Sequence, residues 1–461
     1  MTAHVTDTVC ALATAHGGAI GIIRVSGPLA FSAVSSLSSV HCASVAANTV
    51  HYTRIVEPSG EVIDEVLVTV FHAPHSYTGE DAVEISCHGS RYILNRVLEL
   101  LVQHGCRMAG PGEFTQRAYL NGKMDLSQAE AVADLIASTS RANHHVAMSQ
   151  LRGGISSELA TLREKLLKLT SLLELELDFS DHEDLEFADR SELLLLAQTI
   201  NDHIGSLTRS FETGQAIKQG IPVAIVGKTN VGKSTLLNSL LHEERAIVSA
   251  IHGTTRDTIE DTIDIQGITF RFIDTAGIRL TTDDIEQIGI SRTFAAIGKA
   301  RIVLWLIDSI PTPDDFQDMR TRCKGKALLI VRNKSDLLSP SDQMESGAVA
   351  KVVGNAFTPV FISAKTGQGI GSLEDAILRA ADIPPLHASN VIITNARHYE
   401  ALCRAHTHLL RVIDGLQQQL SGDLLAEDLR LTIDTLAEIT GGQITPQETL
   451  NNIFSHFCVG K

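Results

Sequence analysis

Gly227-Lys-Thr-Asn-Val-Gly-Lys-Ser234 fits the pattern G-x-x-x-x-G-K-[ST], and the residues on either side decide what that pattern can do. Before it, Ile221, Val223, Ala224, Ile225 and Val226 form a short apolar run suited to a buried parallel strand. After it, Thr235, Leu236, Leu237, Leu240 and Leu241 repeat at helical spacing. The stretch therefore joins a strand end to a helix start, where backbone N–H groups and the helix dipole favour a polyphosphate. Gly227 and Gly232 let the backbone curl around the anion, Lys233 can reach the outer phosphates, and the Ser234 hydroxyl can hold Mg²⁺.

Three later segments extend the same logic. Phe270 to Ile273 reads as a strand ending in Asp274-Thr-Ala-Gly277, where a carboxylate can hold the metal through water and a glycine N–H can face the terminal phosphate. Lys326 to Val331 is another apolar strand, ending in Asn333-Lys-Ser-Asp336. The Asp336 carboxylate can accept both N–H groups on guanine's edge, whereas adenine would meet it with an acceptor. Pro359 to Ile362 ends in Ser363-Ala-Lys365, whose backbone can cap the guanine oxygen. All four loops follow strands, the ligand side of a parallel α/β sheet, and the expected ligand is GTP.

Composition sets bounds on the rest. The 461 residues allow about three domains on the length prior. A 44% hydrophobic content supplies ample core, no run approaches a membrane span, and the N-terminus lacks a basic-then-apolar signal pattern, so a cytoplasmic, membrane-free protein is expected. The 7 cysteines are scattered without a C-x-x-C, which implies neither a disulfide framework nor a zinc site. His144 and His145 are adjacent, point in different directions on a helix, and read as surface or packing residues. A net charge of -16 argues against broad, nonspecific nucleic-acid binding, though a local basic face is compatible with it.

The chain divides around the nucleotide segment. Residues 1–120 alternate short apolar runs with turns, as in Ala19 to Val25 and Glu61 to Phe71, and read as a small α/β or α+β domain. Ser127-Gln-Ala-Glu130 reads as a capping box opening a long helical pattern, and Leu159, Leu162, Leu166, Leu169 and Leu173 continue one face through a second helix. A further helical block follows Pro384 and Pro385. The economical arrangement is a discontinuous helical domain of residues 121–218 and 384–461, with a Ras-like P-loop GTPase domain, residues 219–383, inserted between its halves. Glu174 to Asp189 carries eight acidic residues and no Lys or Arg, read as a solvated connection in preference to a metal or partner site.

Several strings carry a resemblance over essentially the whole chain. They are Gly21-Ile-Ile-Arg-Val-Ser-Gly-Pro28, Pro74-His-Ser-Tyr-Thr-Gly-Glu80, Glu84-Ile-Ser-Cys-His-Gly89, Pro111-Gly-Glu-Phe-Thr115, Asn121-Gly-Lys-Met-Asp-Leu-Ser-Gln-Ala-Glu-Ala-Val-Ala-Asp134, Gly253-Thr-Thr-Arg-Asp257 and Phe457-Cys-Val-Gly-Lys461. The chain resembles the bacterial MnmE, or TrmE, family of tRNA-modifying GTPases. That resemblance implies an N-terminal domain that forms a homodimer and binds 5-formyltetrahydrofolate or a related tetrahydrofolate through Arg24, Glu84, Lys123 and Lys461. Read alone, Arg24 and Glu84 are ordinary strand-end charges and Lys123 a turn residue. The resemblance gives Cys458 a chemical role; its neighbours Phe454 and Phe457 equally allow a small apolar anchor for the tail.

Within the nucleotide domain the resemblance assigns contacts to Asn230, Val231, Gly232, Lys233, Ser234 and Thr235, to Ser249, Ala250, Ile251, His252, Gly253, Thr254 and Thr255, to Asp274, Thr275, Ala276 and Gly277, to Asn333, Lys334 and Asp336, and to Ser363, Ala364 and Lys365. Ile278 stands where many relatives of this fold place a water-orienting Gln. The family's substitute is K⁺ held by Asn230 and by the loop of Ser249, Ile251 and Thr254, with Mg²⁺ on Ser234 and Thr255 and the acid Glu286 aimed at water. By itself, Glu286 reads as a solvated carboxylate at a helix start.

The function implied is addition of a carboxymethylaminomethyl or aminomethyl group to carbon 5 of a tRNA wobble uridine, together with an FAD-dependent MnmG partner. FAD belongs to that partner, because this chain has no G-x-G-x-x-G dinucleotide fingerprint. A GTP-dependent RNA or ribosome assembly switch, with no part in modification, is the alternative from a different class, although no KH-like GXXG module accompanies the GTP motifs.

Overall fold

In this computed structural model, which describes residues 7–178, 190–244, 261–273, 295–338, 359–383, 391–442, 447–455 and 457–460, alternating apolar positions near the N-terminus build a six-stranded sheet. Its strands are β1 (Thr8–Leu12), β2 (Ile20–Ser26), β3 (Thr49–Val56), β4 (Val62–Phe71), β5 (Ala82–His88) and β6 (Cys106–Met108), with α1 (Ala30–Leu37) and α2 (Arg91–Gln103) between them. Helices α3 (Glu113–Leu120), α4 (Leu126–Ile136), α5 (Arg141–Leu151), α6 (Gly154–Asp178) and α7 (Arg190–Gln219) follow. The nucleotide segment contributes β7 (Ile221–Val226), α8 (Lys233–Glu244), β8 (Asp261–Ile265), β9 (Ile268–Phe272), β10 (Ile302–Ile307), α9 (Pro313–Arg322), β11 (Ala327–Arg332), β12 (Val360–Phe361) and α10 (Ile370–Ala381). The chain finishes with α11 (Ala396–Gln417), α12 (Gly422–Thr440) and α13 (Gln447–Ser455).

Two compact units result, one of Met1–Ala137, Ala147–Ile204 and Glu400–Lys461, the other of Ser138–Val146 and Gly205–Tyr399. In the first, the strand order is β3-β4-β5-β2-β1-β6, antiparallel except for the parallel pair β1 and β6. Period two sorts its side chains by face. Ile23, Val25, Val66, Val68, Val70, Val83 and Ile85 join Val34, Leu37, Leu94, Val97 and Leu101 of α1 and α2 in one core. Arg24 and Ser26 therefore face the other way, and the β2–β5 register sets Arg24 directly opposite Glu84.

The helical part of this unit follows the leucine pattern. Leu159, Leu162, Leu166, Leu169 and Leu173 are all buried on α6, which packs against α12, a helix that buries Leu425, Leu429 and Leu436. The capping box sits two residues earlier than the sequence suggests. Asp125, not Ser127, is the N-cap of α4, accepting from the Gln128 N–H at 2.9 Å while the Gln128 amide oxygen accepts from the Asp125 N–H at 2.9 Å. Ser127 is instead buried in the first turn and donates to the Asp125 carboxylate. A carboxylate with extended backbone outcompetes a serine already inside the helix.

The second unit holds a sheet of order β12-β11-β10-β7-β9-β8, parallel except where β8 meets β9. That antiparallel edge is a hairpin closed by Gln266 and Gly267, both at positive φ, the backbone of a two-residue turn. Every residue of β10 is buried, as expected for a central strand with both faces covered. Leu236, Leu237 and Leu240 of α8 and Leu373 and Ile377 of α10 cover one face, while Ile297 and Phe316 cover the other. The architecture is multidomain α/β and α, and among the described residues no helix is long and apolar enough to cross a membrane. The acidic stretch from Phe179 to Asp189 lies outside the described residues.

A nucleotide site and a second pocket

The loop after β7 can form only with glycine at two points. Gly227 has φ +157°, and a Cβ there would sit 2.4 Å from the Leu306 carbonyl oxygen. Gly232 has φ +100°, and its Cβ would lie 2.3 Å from Asn333 Nδ2. Between them, Asn230 takes the left-handed conformation at φ +60°, which asparagine tolerates better than most residues, and its side chain is exposed. Lys233 opens α8 and donates from Nζ to the carbonyl oxygens of Gly227 and Lys228, each at 2.8 Å. Burial lowers the pKa of this ammonium, so an anion that replaces its lost hydration is favoured there. Ser234 and Thr235 occupy the first turn of α8, where helix N–H groups lack intrahelical partners.

Asn333 ties three loops together. It is buried; its Nδ2 donates to Val231 O at 2.8 Å, and its Oδ1 accepts from Ala364 N at 3.0 Å. Its own N–H donates to Ile307 O at 2.8 Å, which locks the β11 end to β10. Asp336 lies in the exposed 3-10 turn Ser335–Leu337, and Lys334, at φ +61°, precedes it. Ser335 N donates to Ile362 O at 3.0 Å, bringing the β12 loop with buried Ser363 and Ala364 and exposed Lys365 alongside. The phosphate loop and both base-side loops thus form one edge. Ser249 to Thr255, Asp274 to Gly277 and Glu286 lie outside the described residues.

A second site belongs to the first unit. Arg24 donates from Nε to Glu84 Oε1 at 2.9 Å and from Nη1 to Gly460 O at 3.3 Å, while its guanidinium carbon stands 5.5 Å from the ring centres of both Tyr77 and Phe114. Arg24, Ser26, Phe71, Tyr77, Thr78 and Glu84 line a pocket here. Burial raises the pKa of Tyr77, whose hydroxyl meets Thr115 Oγ1 at 2.9 Å. Ser26 donates to Glu80 Oε2 at 2.7 Å, and Glu80 is held by fully buried Arg117, which also pairs with Asp7 at 2.7 Å and Glu113 at 3.0 Å.

Lys123 stretches over Gly79 on the loop beside this pocket and donates to Pro74 O at 2.9 Å. The C-terminal tail closes another side, with Val459 bridging Pro111 and Gly112 N donating to Cys458 O at 3.3 Å. Phe454 and Phe457 anchor that tail against Leu126 and Ala129, whereas Cys458 is exposed; the small-anchor reading of the cysteine does not describe this structure. Lys461 lies outside the described residues.

Two family models together match nearly the whole chain. Residues 8–123 match the family described as the GTP-binding protein TrmE N-terminus, and residues 126–458 match the MnmE helical domain family. The tRNA modification GTPase MnmE of Phocaeicola vulgatus is 53% identical over 496 residues, covering 99% of each chain. That of Bacteroides thetaiotaomicron is 54% identical over 465 residues, again covering 99% of each. The chain belongs to the MnmE family of tRNA modification GTPases. It is accordingly a GTP-binding enzyme, a GTPase that acts in tRNA modification. Among solved structures, the G domain of the T. maritima FeoB iron transporter aligns with 35% of this chain and 99% of its own at 22% identity, with a TM-score of 0.26, too low to bear on the fold.

Sequence reasoning missed the supports of the MnmE-type sites. Arg117 carried one local signal, its i,i+4 spacing from Glu113, but its other partners are 37 and 110 residues away. Asn333 was assigned to nucleotide contact without its role in fastening Val231 and Ala364.

Proposed function

We propose that this chain uses GTP hydrolysis to drive addition of a carboxymethylaminomethyl or aminomethyl group to carbon 5 of the wobble uridine of certain tRNAs, acting as a cytoplasmic homodimer with an FAD-dependent MnmG partner. The observation that carries the reading is the Arg24–Glu84 pocket, with an acceptor carboxylate, a guanidinium and the Tyr77 ring side by side. Those groups fit 5-formyltetrahydrofolate or a related folate: Glu84 accepts from a pterin's amino edge, Tyr77 offers a face for a flat ring, and Arg24 and Lys123 offer charge to its glutamate carboxylates. The folate, when bound, supplies the one-carbon unit. Exposed Cys458, on the tail beside Gly112, is available for chemistry at the uridine.

At the nucleotide site, Ser234 in the first turn of α8 would hold Mg²⁺ through its hydroxyl together with Thr255, and exposed Asn230 would offer a carbonyl oxygen to K⁺. Glu286 orients water for attack. The test of the folate reading is calorimetric titration of the intact protein with 5-formyltetrahydrofolate. Binding that Arg24→Ala weakens by roughly tenfold or more supports it; no heat from the intact protein removes the folate, leaving the N-terminal sheet a scaffold.

A further inference from the structure

Asp308 lies one residue beyond β10, outside every motif in the sequence, yet it shares the edge where the base-side loops converge. The parallel register sets Ile307 beside Arg332, so Asp308 falls beside Asn333 and one residue short of Lys334. The left-handed backbone of Lys334 lets its side chain reach back across the ends of β11 and β10, where Nζ donates to Asp308 Oδ2 at 2.8 Å. Both side chains are about one-third exposed. The ion pair therefore fixes the direction of a four-carbon stem at the ends of β10 and β11, two residues before Asp336.

Two further charges frame the pair. Arg332, buried at the end of β11, adds positive potential at Asp308, and its Nη1 has no hydrogen-bond partner among the described residues. The Asp308 carboxylate is thus held by Lys334 in a field that Arg332 makes more positive, and removing its charge frees Lys334 to leave its place.

We propose that Asp308 is a positioning residue for guanine nucleotides: it pins the Lys334 ammonium so that the methylene stem forms a ledge for one face of the base. The proposal rests on the guanine-site reading of Asp336. A ledge touches the base and not the terminal phosphate, so it serves GDP and GTP alike. Asp308 is not a catalytic residue, and its loss raises KM while leaving turnover at saturation intact.

The experiment uses the full-length protein with GDP and GTP, measured by titration calorimetry and steady-state hydrolysis. Asp308→Asn lowers affinity for both nucleotides by about three- to tenfold, the range for losing one charge-assisted contact in a partly exposed place. In a Lys334→Met background the same substitution adds nothing, because the two residues act as one unit. The difference between Asp308→Asn and the intact protein narrows as salt rises from about 0.05 to 0.5 M, since a partly exposed pair is screened. Asp336→Asn is the control for the underlying site: if it leaves guanine selectivity whole, the guanine-site reading falls and this proposal with it. If Asp336→Asn shifts selectivity while Asp308→Asn binds within twofold of the intact protein, binds more tightly, or loses as much in the Lys334→Met background, the positioning role alone is overturned. Should Asp308→Asn unfold, Lys334→Met by itself carries the test, and unchanged nucleotide affinity in that variant overturns the ledge.

Discussion

Lys233, partly buried at the start of α8, is the residue on which the proposed phosphate contact depends most. Lys233→Ala removes the ammonium that caps the Gly227 and Lys228 carbonyls and that is proposed to bind the outer phosphates. GTP affinity is expected to fall roughly ten- to hundredfold, as for loss of a charge-assisted bond, and calorimetry against GTP measures it. Affinity within a factor of two of the intact protein would remove Lys233 from phosphate binding. Asp336→Asn exchanges an acceptor for a donor on an exposed turn, so selectivity should move from GTP towards xanthosine triphosphate while thermal stability stays put. Competition between the two nucleotides reads that directly, and an unchanged preference for GTP contradicts base reading by this carboxylate. Asn230→Ala leaves a left-handed backbone without the side chain suited to it and removes the oxygen proposed for K⁺. Its hydrolysis should no longer distinguish K⁺ from Na⁺ at equal ionic strength; a preserved K⁺ preference would place the ion elsewhere.

At the scale of elements, the fold is most legible where a strand runs straight into a loop of fixed chemistry. β7, β11 and β12 fall where the apolar runs predict them, because buried parallel strands leave continuous hydrophobic stretches. What the sequence hides are junctions decided by competition or by distant partners. Asp125 takes the α4 cap that the sequence assigns to Ser127, since both residue types suit the motif and the extended backbone belongs to Asp125. Asp125→Ala should cost about 1 kcal/mol of stability, against nearly nothing for an exposed helix residue, and denaturant unfolding of the two variants separates them. β8 escapes a pattern search because it is an edge strand with only Ile263 and Ile265 buried, and the Gln266-Gly267 turn that pairs it with β9 resembles ordinary loop sequence. Arg117 and Glu80 are hard to read for a different reason: apart from the i,i+4 pair with Glu113, the ion-pair network behind Ser26 joins residues 7, 80 and 117, which only the folded chain brings together.

Across the whole molecule, the chain carries two chemically different sites in two separately packed units: a GTP edge and a pocket built on Arg24 and Glu84. The proposed modification requires both, since hydrolysis without the one-carbon pocket leaves nothing to transfer and the pocket without hydrolysis is not driven. The GTP motifs are readable residue by residue, whereas Arg24 and Glu84 read alone as ordinary strand-end charges and stand out only through the family resemblance, because their pairing depends on the β2–β5 register. The most direct measurement is mass analysis of wobble nucleosides from bacterial cells lacking this protein and restored with the intact chain, Lys233→Ala or Arg24→Ala. The intact chain is expected to restore the carbon-5 aminomethyl and carboxymethylaminomethyl uridines, and each variant, expressed to the same level, to leave them strongly depleted. Full restoration by both variants, or normal nucleosides in cells with no protein at all, would contradict the account.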